Sequence, residues 1–175
     1  MHRFTELADR AAIFALNSLN EVLNRTVEAL QTSGATMHVK NLQMVSLSKA
    51  VLAVGLFSIF EAMLQDELGG VYGFEGARRA LKAQGDDALE ARFENYILAV
   101  NVLKHGNGRS YHTLVSRKSA LPFKVMTDAD FEEIEGDVSA INTLIWVDDE
   151  FVGNCGAMIR EVTASLQKSR PNILL

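Results

Sequence analysis

Apolar residues recur at helical spacing along most of this chain. Between Arg3 and Gln31, Leu7, Ala11, Phe14, Ala15, Leu19, Val22, Leu23 and Leu30 stand among polar neighbours, the one-sided pattern of a long helix. A second long helix is predicted from Val39 to Leu68. It is amphipathic at both ends and apolar all round in its middle, so a central position in the fold is expected, with Gly69-Gly70 as its stop. A shorter segment, Phe74 to Ala83, closes at Gly85. Asp86 and Asp87 then offer a cap and favourable charge to a helix running to Lys104, whose stripe is Leu89, Phe93, Ile97, Val100 and Leu103.

Gly106 stops that helix just after Lys104 and His105, whose charge suits a helix C-terminus. A fifth helix is predicted from Ser110 to about Ser119, before the Leu121-Pro122 boundary. Residues Phe123–Met126 and Thr143–Val147 are β-favourable, and periodicity leaves open whether they form a small ladder or extended loop. A last helix starts near Asp148-Asp149-Glu150 and runs to about Lys168, before Pro171. The expected fold is therefore mainly α: a single-domain antiparallel bundle of about five to six helices spanning residues 1–175.

Composition agrees with one domain. Hydrophobic residues at 48% and charged residues at 22% are ordinary for a globular chain of 175 residues, and no Pro- or Ser/Gly-rich linker divides it. The apolar run Ala50–Phe60 is too short by itself to cross a bilayer, which favours a buried core helix and no membrane partner. The lone cysteine, Cys155, excludes an internal disulfide, and no signal-peptide pattern opens the chain, so a cytoplasmic setting is expected.

A net charge of -5 opposes polyanion binding by the whole surface and directs attention to local patches. One patch stands out. No Asp or Glu occurs between Glu94 and Asp128, whereas Lys104, Arg109, Arg117, Lys118 and Lys124 lie there with His105 and His112. Such an island suits RNA or another acidic partner, because Lys and Arg displace counterions from phosphates. The plainer alternative is a solvated face paired with the protein's own acids.

Recognised cofactor motifs are missing from this interval. Gly106-Asn107-Gly108 has Tyr111 where a dinucleotide fingerprint needs its third glycine, and it lacks the Gly-Lys-Ser/Thr of a P-loop, so a tight inter-helix turn is the simpler reading. His105 and His112 lack a zinc spacing, and Asp128–Asp137 does not match a calcium loop; Thr127 capping a helix explains those acids. No metal or cofactor is expected. Cys155, in the apolar stretch NCGAMI, reads as a small core residue.

Asn101 and His105 stand four apart and can share one side of a groove. With the helical order over about residues 39–120 and Glu61 in FSIFEAMLQ, the helix end Asn101-Val-Leu-Lys-His105 resembles the HEPN superfamily, helical domains of many prokaryotic toxins and RNA-cutting defence proteins. The resemblance implies a homodimer whose R-N-x-x-x-H motifs meet in a cleft and support metal-independent RNA cleavage through the ribose 2′-hydroxyl. Asn101 and His105 match that motif, but Val100 occupies the arginine position.

A histidine can move protons near neutral pH, yet a pentacoordinate phosphate also needs positive charge aimed at its oxygens, which valine cannot supply. The expectation is thus a non-catalytic HEPN-like module that binds a protein or nucleic-acid partner through Lys104, Arg109, His112, Arg117 and Lys118, as a homodimer. The alternative is a ribonuclease in which His105 is the acid/base, Asn101 orients it, and Lys104 or Arg109 holds phosphate. Glu61 admits two placements: a polar cluster with Asn101, Lys104 or His105, or, more simply, a polar edge shared with Ser58 and Gln65.

Overall fold

The structure is a computed structural model that describes residues 4–70, 72–137 and 140–170. The expected start of the first helix at Arg3 lies outside the described residues, as does Pro171. Among those described there are seven α-helices: α1 (Phe4–Leu30), α2 (Thr36–Leu68), α3 (Gly73–Ala83), α4 (Asp87–His105), α5 (Arg109–Ser116), α6 (Asp128–Glu133) and α7 (Asp149–Ser169). The chain is a mainly α bundle, as its periodicity predicts.

Local signals account for several boundaries. Gly69 takes the left-handed conformation with φ 67° and donates its N–H to the Gln65 carbonyl at 3.0 Å, ending α2. Asp148 caps α7 by accepting a hydrogen bond from the Phe151 N–H at 2.8 Å. Thr127 opens α6 in a reciprocal capping box with Asp130, which accounts for the acidic run that follows. This short helix takes the bundle one beyond the upper expected count. The β-favourable segments meet in a single antiparallel bridge, Val125 to Ile145, flanked by hydrogen bonds from Met126 N–H to the Leu144 carbonyl and from Trp146 N–H to the Lys124 carbonyl.

Aromatic side chains join the layers. The Phe57 ring lies 5.9 Å from Phe74, 6.2 Å from Phe93 and 6.3 Å from Tyr96, linking α2 to α3 and α4. Tyr96 continues to Phe151 of α7 at 5.7 Å. Gly73 lets α3 begin hard against α2: a Cβ there would strike the Glu61 carbonyl oxygen, so close approach excludes any side chain. A polar tie crosses the other side, where Lys49 Nζ lies 2.7 Å from Asp149 Oδ1 and Asn20 donates to Asp149 Oδ2 at 2.6 Å. Burial alone raises the Asp149 pKa, but the Lys49 and Asn20 hydrogen bonds outweigh it and hold the carboxyl below its ordinary value.

The placement of α2 corrects one expectation. It packs against α1, α3, α4 and α7, but its apolar circumference is not enclosed. Phe57, Phe60 and Leu64 are fully buried, whereas Met44, Leu47 and Val51 are 49%, 54% and 63% exposed. The neighbouring helices cover the inner face and flanks and leave the outer face open. At 33 residues α2 is also long and apolar enough to cross a membrane by length and composition, unlike the run Ala50–Phe60 taken alone; here its inner face is part of the bundle core.

Candidate functional site

The α4–α5 turn follows from glycine geometry. Gly106 has φ 72°, a conformation costly for other residues, and donates to the Val102 carbonyl at 2.8 Å, so α4 ends at His105. Gly108 then stands as the N-cap of α5, which begins at Arg109, one residue before the expected Ser110. Tyr111 anchors α5 by donating its hydroxyl hydrogen to the Met126 carbonyl at 2.9 Å. Lys104, His105, Arg109 and His112 consequently stand exposed around a turn fixed from both sides.

Three of the island's five Lys and Arg side chains, Arg117, Lys118 and Lys124, are paired with acids within the chain. Arg117 Nη1 donates to Glu94 Oε2 at 3.1 Å and to Asn95 Oδ1 at 2.9 Å. Lys118 and Lys124 lie 2.7 and 3.3 Å from the two carboxylate oxygens of Asp130. The Lys118 hydrogen bond, followed by those from Thr127, holds the Asp130 carboxyl well below the usual range. Burial pushes Glu94 upward, but the Arg117 hydrogen bond and the charges of Arg78 and Arg117 prevail and lower its pKa.

The expected partner-binding residues therefore divide. Arg117 and Lys118 have internal acids, while Lys104, Arg109 and His112 make no side-chain ion pair among the described residues. Sequence separation hid the pairings: Glu94 lies on the preceding helix and Asp130 on the following one, and folding brings both back onto the interval.

Asn101 lines a shallow groove of about 390 Å³ with Glu61, Tyr72, Phe74, Arg78 and Ile97. Lys104 and His105 are not part of its wall; His105 lies one helical turn beyond Asn101, exposed at the helix end. Glu61 is half-buried and shares the groove with Asn101 without a hydrogen bond between them, so the groove edge describes it better than a buried cluster.

Val100 is 2% exposed and belongs to the hydrophobic core. The arginine position of the HEPN motif therefore falls on the inner face of α4. Arg78, which sequence reasoning did not associate with Asn101, is the arginine in this groove. Its Nε lies 2.6 Å from Glu90 Oε1 and its Nη2 lies 2.6 Å from Glu94 Oε1, so its guanidinium is held by two carboxylates that are shared with Lys82 and Arg117. The spacing of Glu90 and Glu94, one turn apart on α4, was the available signal for such a cation.

Other possible chemistry is similarly constrained. Cys155 is fully buried and burial pushes its thiol pKa upward, which makes it a core residue and a poor nucleophile. Among the described residues, no three His, Cys, Asp or Glu side chains gather as a metal site. A 430 Å³ cleft beside Trp146 carries both Lys118 and Lys124 and the acids Asp148 and Glu150, so its charge is mixed. A fourth surface is apolar: Phe14, Ala15 and Leu19 of α1 face Met44, Leu47, Val51 and Leu52 of α2 across a groove of about 510 Å³. The periodicity predicts Phe14 and Leu19 on one apolar face of α1 and a central place for α2; Phe14 is instead 75% exposed beside this groove. No family model, curated protein or solved structure matches this chain.

Proposed function

We propose that this chain is a non-catalytic, HEPN-like interaction module that works as a homodimer and uses the α4–α5 turn to bind an acidic partner, with RNA the partner best suited to its chemistry. The observation carrying this reading is the exposed set Lys104, Arg109 and His112, which makes no ion pair among the described residues on a turn held by Gly106 and Tyr111. Two permanent cations on a fixed turn attract phosphates at modest affinity, and that attraction weakens with salt.

Catalysis is disfavoured by the surroundings of Asn101 and His105. Val100 is buried, the guanidinium of Arg78 is engaged by Glu90 and Glu94, and His105 stands outside the Asn101 groove. Lys104 and Arg109 stand near His105 on the turn, but Asn101, the residue that would orient His105, lines a groove whose wall His105 does not join. An acidic protein segment would meet the same turn through the same charges.

The test is incubation of the protein and a His105→Ala variant with labelled single-stranded RNA in chelator. Intact RNA, retained at low salt by both proteins, is the expected result. Chelator-resistant cleavage that disappears in His105→Ala would establish the alternative, a metal-independent endoribonuclease.

A further inference from the structure

The α1–α2 hairpin turns a continuous apolar face to solvent. Leu7 and Phe14 of α1 are seven residues apart, as are Met44 and Val51 of α2, and side chains at that spacing form strips along a helix. These four are 50%, 75%, 49% and 63% exposed; Leu47, in the same groove as Met44 and Val51, is 54% exposed, and Ile59, eight residues on from Val51 along α2, is 55% exposed. Phe4 stacks on Phe60, and Phe14, Ala15 and Leu19 share a groove with Met44, Leu47 and Val51, so the two helices run antiparallel with their strips side by side.

We propose that this face is the contact between two copies of the chain. This rests on the homodimer proposed above but places its contact on α1 and α2 rather than at Asn101 and His105 of α4, and it is independent of the partner that the cationic turn binds. Area is the first argument. Six side chains at about half exposure or more, with the groove walls between them, present on the order of 600–800 Å² of apolar surface. That reaches or exceeds the largest patch of a typical monomer, and approaches the ~800 Å² that one partner contributes to a standard interface.

Shape supplies the second argument. A two-fold contact requires a surface complementary to itself. Here the same face carries a projecting ring, Phe14, and a groove of about 510 Å³ able to receive its counterpart. Two antiparallel hairpins packed through these strips form a four-helix interface, with Phe14 of each copy seated between α1 and α2 of the other.

Charge argues for protein over lipid as the occupant. Helices that lie on anionic membranes carry a rim rich in Lys and Arg. On α1, Arg10 pairs with Glu6 at 2.9 Å and Arg25 with Glu21 at 3.5 Å, which leaves Lys40 of α2 as the exposed Lys or Arg of the hairpin without an ion pair among the described residues, too few for a basic rim. Nor is α2 free to leave the bundle for a bilayer: Phe57, Phe60 and Leu64 are buried, and Lys49 is paired with Asp149 of α7.

The test is sedimentation equilibrium of the full chain, alone and as the exposed-site variants Phe14→Glu and Val51→Glu, with helicity followed by circular dichroism. The expected result is a dimer at about 20 μM, with association weakened at least ~30-fold in each variant at unchanged helicity. A monomeric wild type at ~100 μM overturns the proposal, and this measurement does not depend on the variants folding. A dimer unaffected in both folded variants also overturns it. So does a monomer that floats with phosphatidylserine/phosphatidylcholine vesicles and ceases to do so in the variants. A Lys104→Glu/Arg109→Glu protein separates the two readings: it should remain dimeric while losing RNA, so failure to retain RNA leaves the dimer standing, and failure to dimerise leaves the turn standing.

Discussion

Arg117 of the segment after α5 reaches back to Glu94 of α4, with Nη1 3.1 Å from Oε2. Glu94 also receives Arg78 of α3 at 2.6 Å, so one carboxylate joins three consecutive parts of the chain. It positions the end of α5 and removes Arg117 from the free charge of the turn. Replacing Glu94 with Gln should destabilise the fold by about 1–2 kcal/mol, because two guanidinium groups lose a charged acceptor in a half-buried place. Chemical denaturation would measure the loss. The same variant should bind RNA more tightly at low salt, since Arg117 gains net charge at the edge of the site.

Acid should weaken the fold through a small set of carboxyls. Glu94, Asp130 and Asp149 all have folded-state pKa values below their ordinary ones, each with cationic partners. A carboxyl depressed on folding contributes stability that is present above its unfolded pKa and is lost as pH falls through its folded pKa. Stability from these groups should therefore hold through neutral and mildly acidic pH, then fall below about pH 4. Denaturant midpoints measured down the acid range check this. The loss should be smaller in Asp130→Asn, whose stability at neutral pH is already reduced.

Placing an arginine at position 100 should not create an enzyme. At 2% exposure Val100 packs in the core, and burying a guanidinium without a partner there should cost about 3 kcal/mol or more. Val100→Arg is expected to lower the thermal midpoint sharply and to leave RNA uncut. A stable Val100→Arg protein with chelator-resistant ribonuclease activity would show instead that this position can face the Asn101 groove.

Gly55→Ala should stabilise the protein by about 0.5–1 kcal/mol, because alanine is the better helix former and restricts the unfolded chain. A Cβ at Gly55 would meet no atom of its own chain within 4 Å, so nothing within one copy opposes the gain. Thermal denaturation at fixed protein concentration would register it.

Much of the architecture was legible in the periodicity. Helix stops at Gly69 and Gly106, and caps at Thr127 and Asp148, are local signals written within a few residues, and they act locally in the structure. The β-favourable segments carried less information, since one bridge between Val125 and Ile145 satisfies their pattern without a ladder. The site was legible only in part. Charge composition located the basic interval, but which cations remain available depended on long-range pairing with Glu94 and Asp130. Hydrophobicity likewise could not show that Met44, Leu47 and Val51 stay exposed, because an apolar position reads the same whether its partner lies within the chain or outside it.

The cationic turn as the functional surface is tested most directly by the salt dependence of RNA binding, compared between the protein and its Lys104→Glu/Arg109→Glu variant in chelator. Each phosphate contact contributes a slope of about -0.7 to the logarithmic dependence on salt for single strands. The protein should show a slope of about -1.4 or steeper, from Lys104 and Arg109, with the RNA left intact, and the variant should lose binding. Absence of binding by the unaltered protein at low salt, or equal binding and slope in the variant, would contradict the assignment.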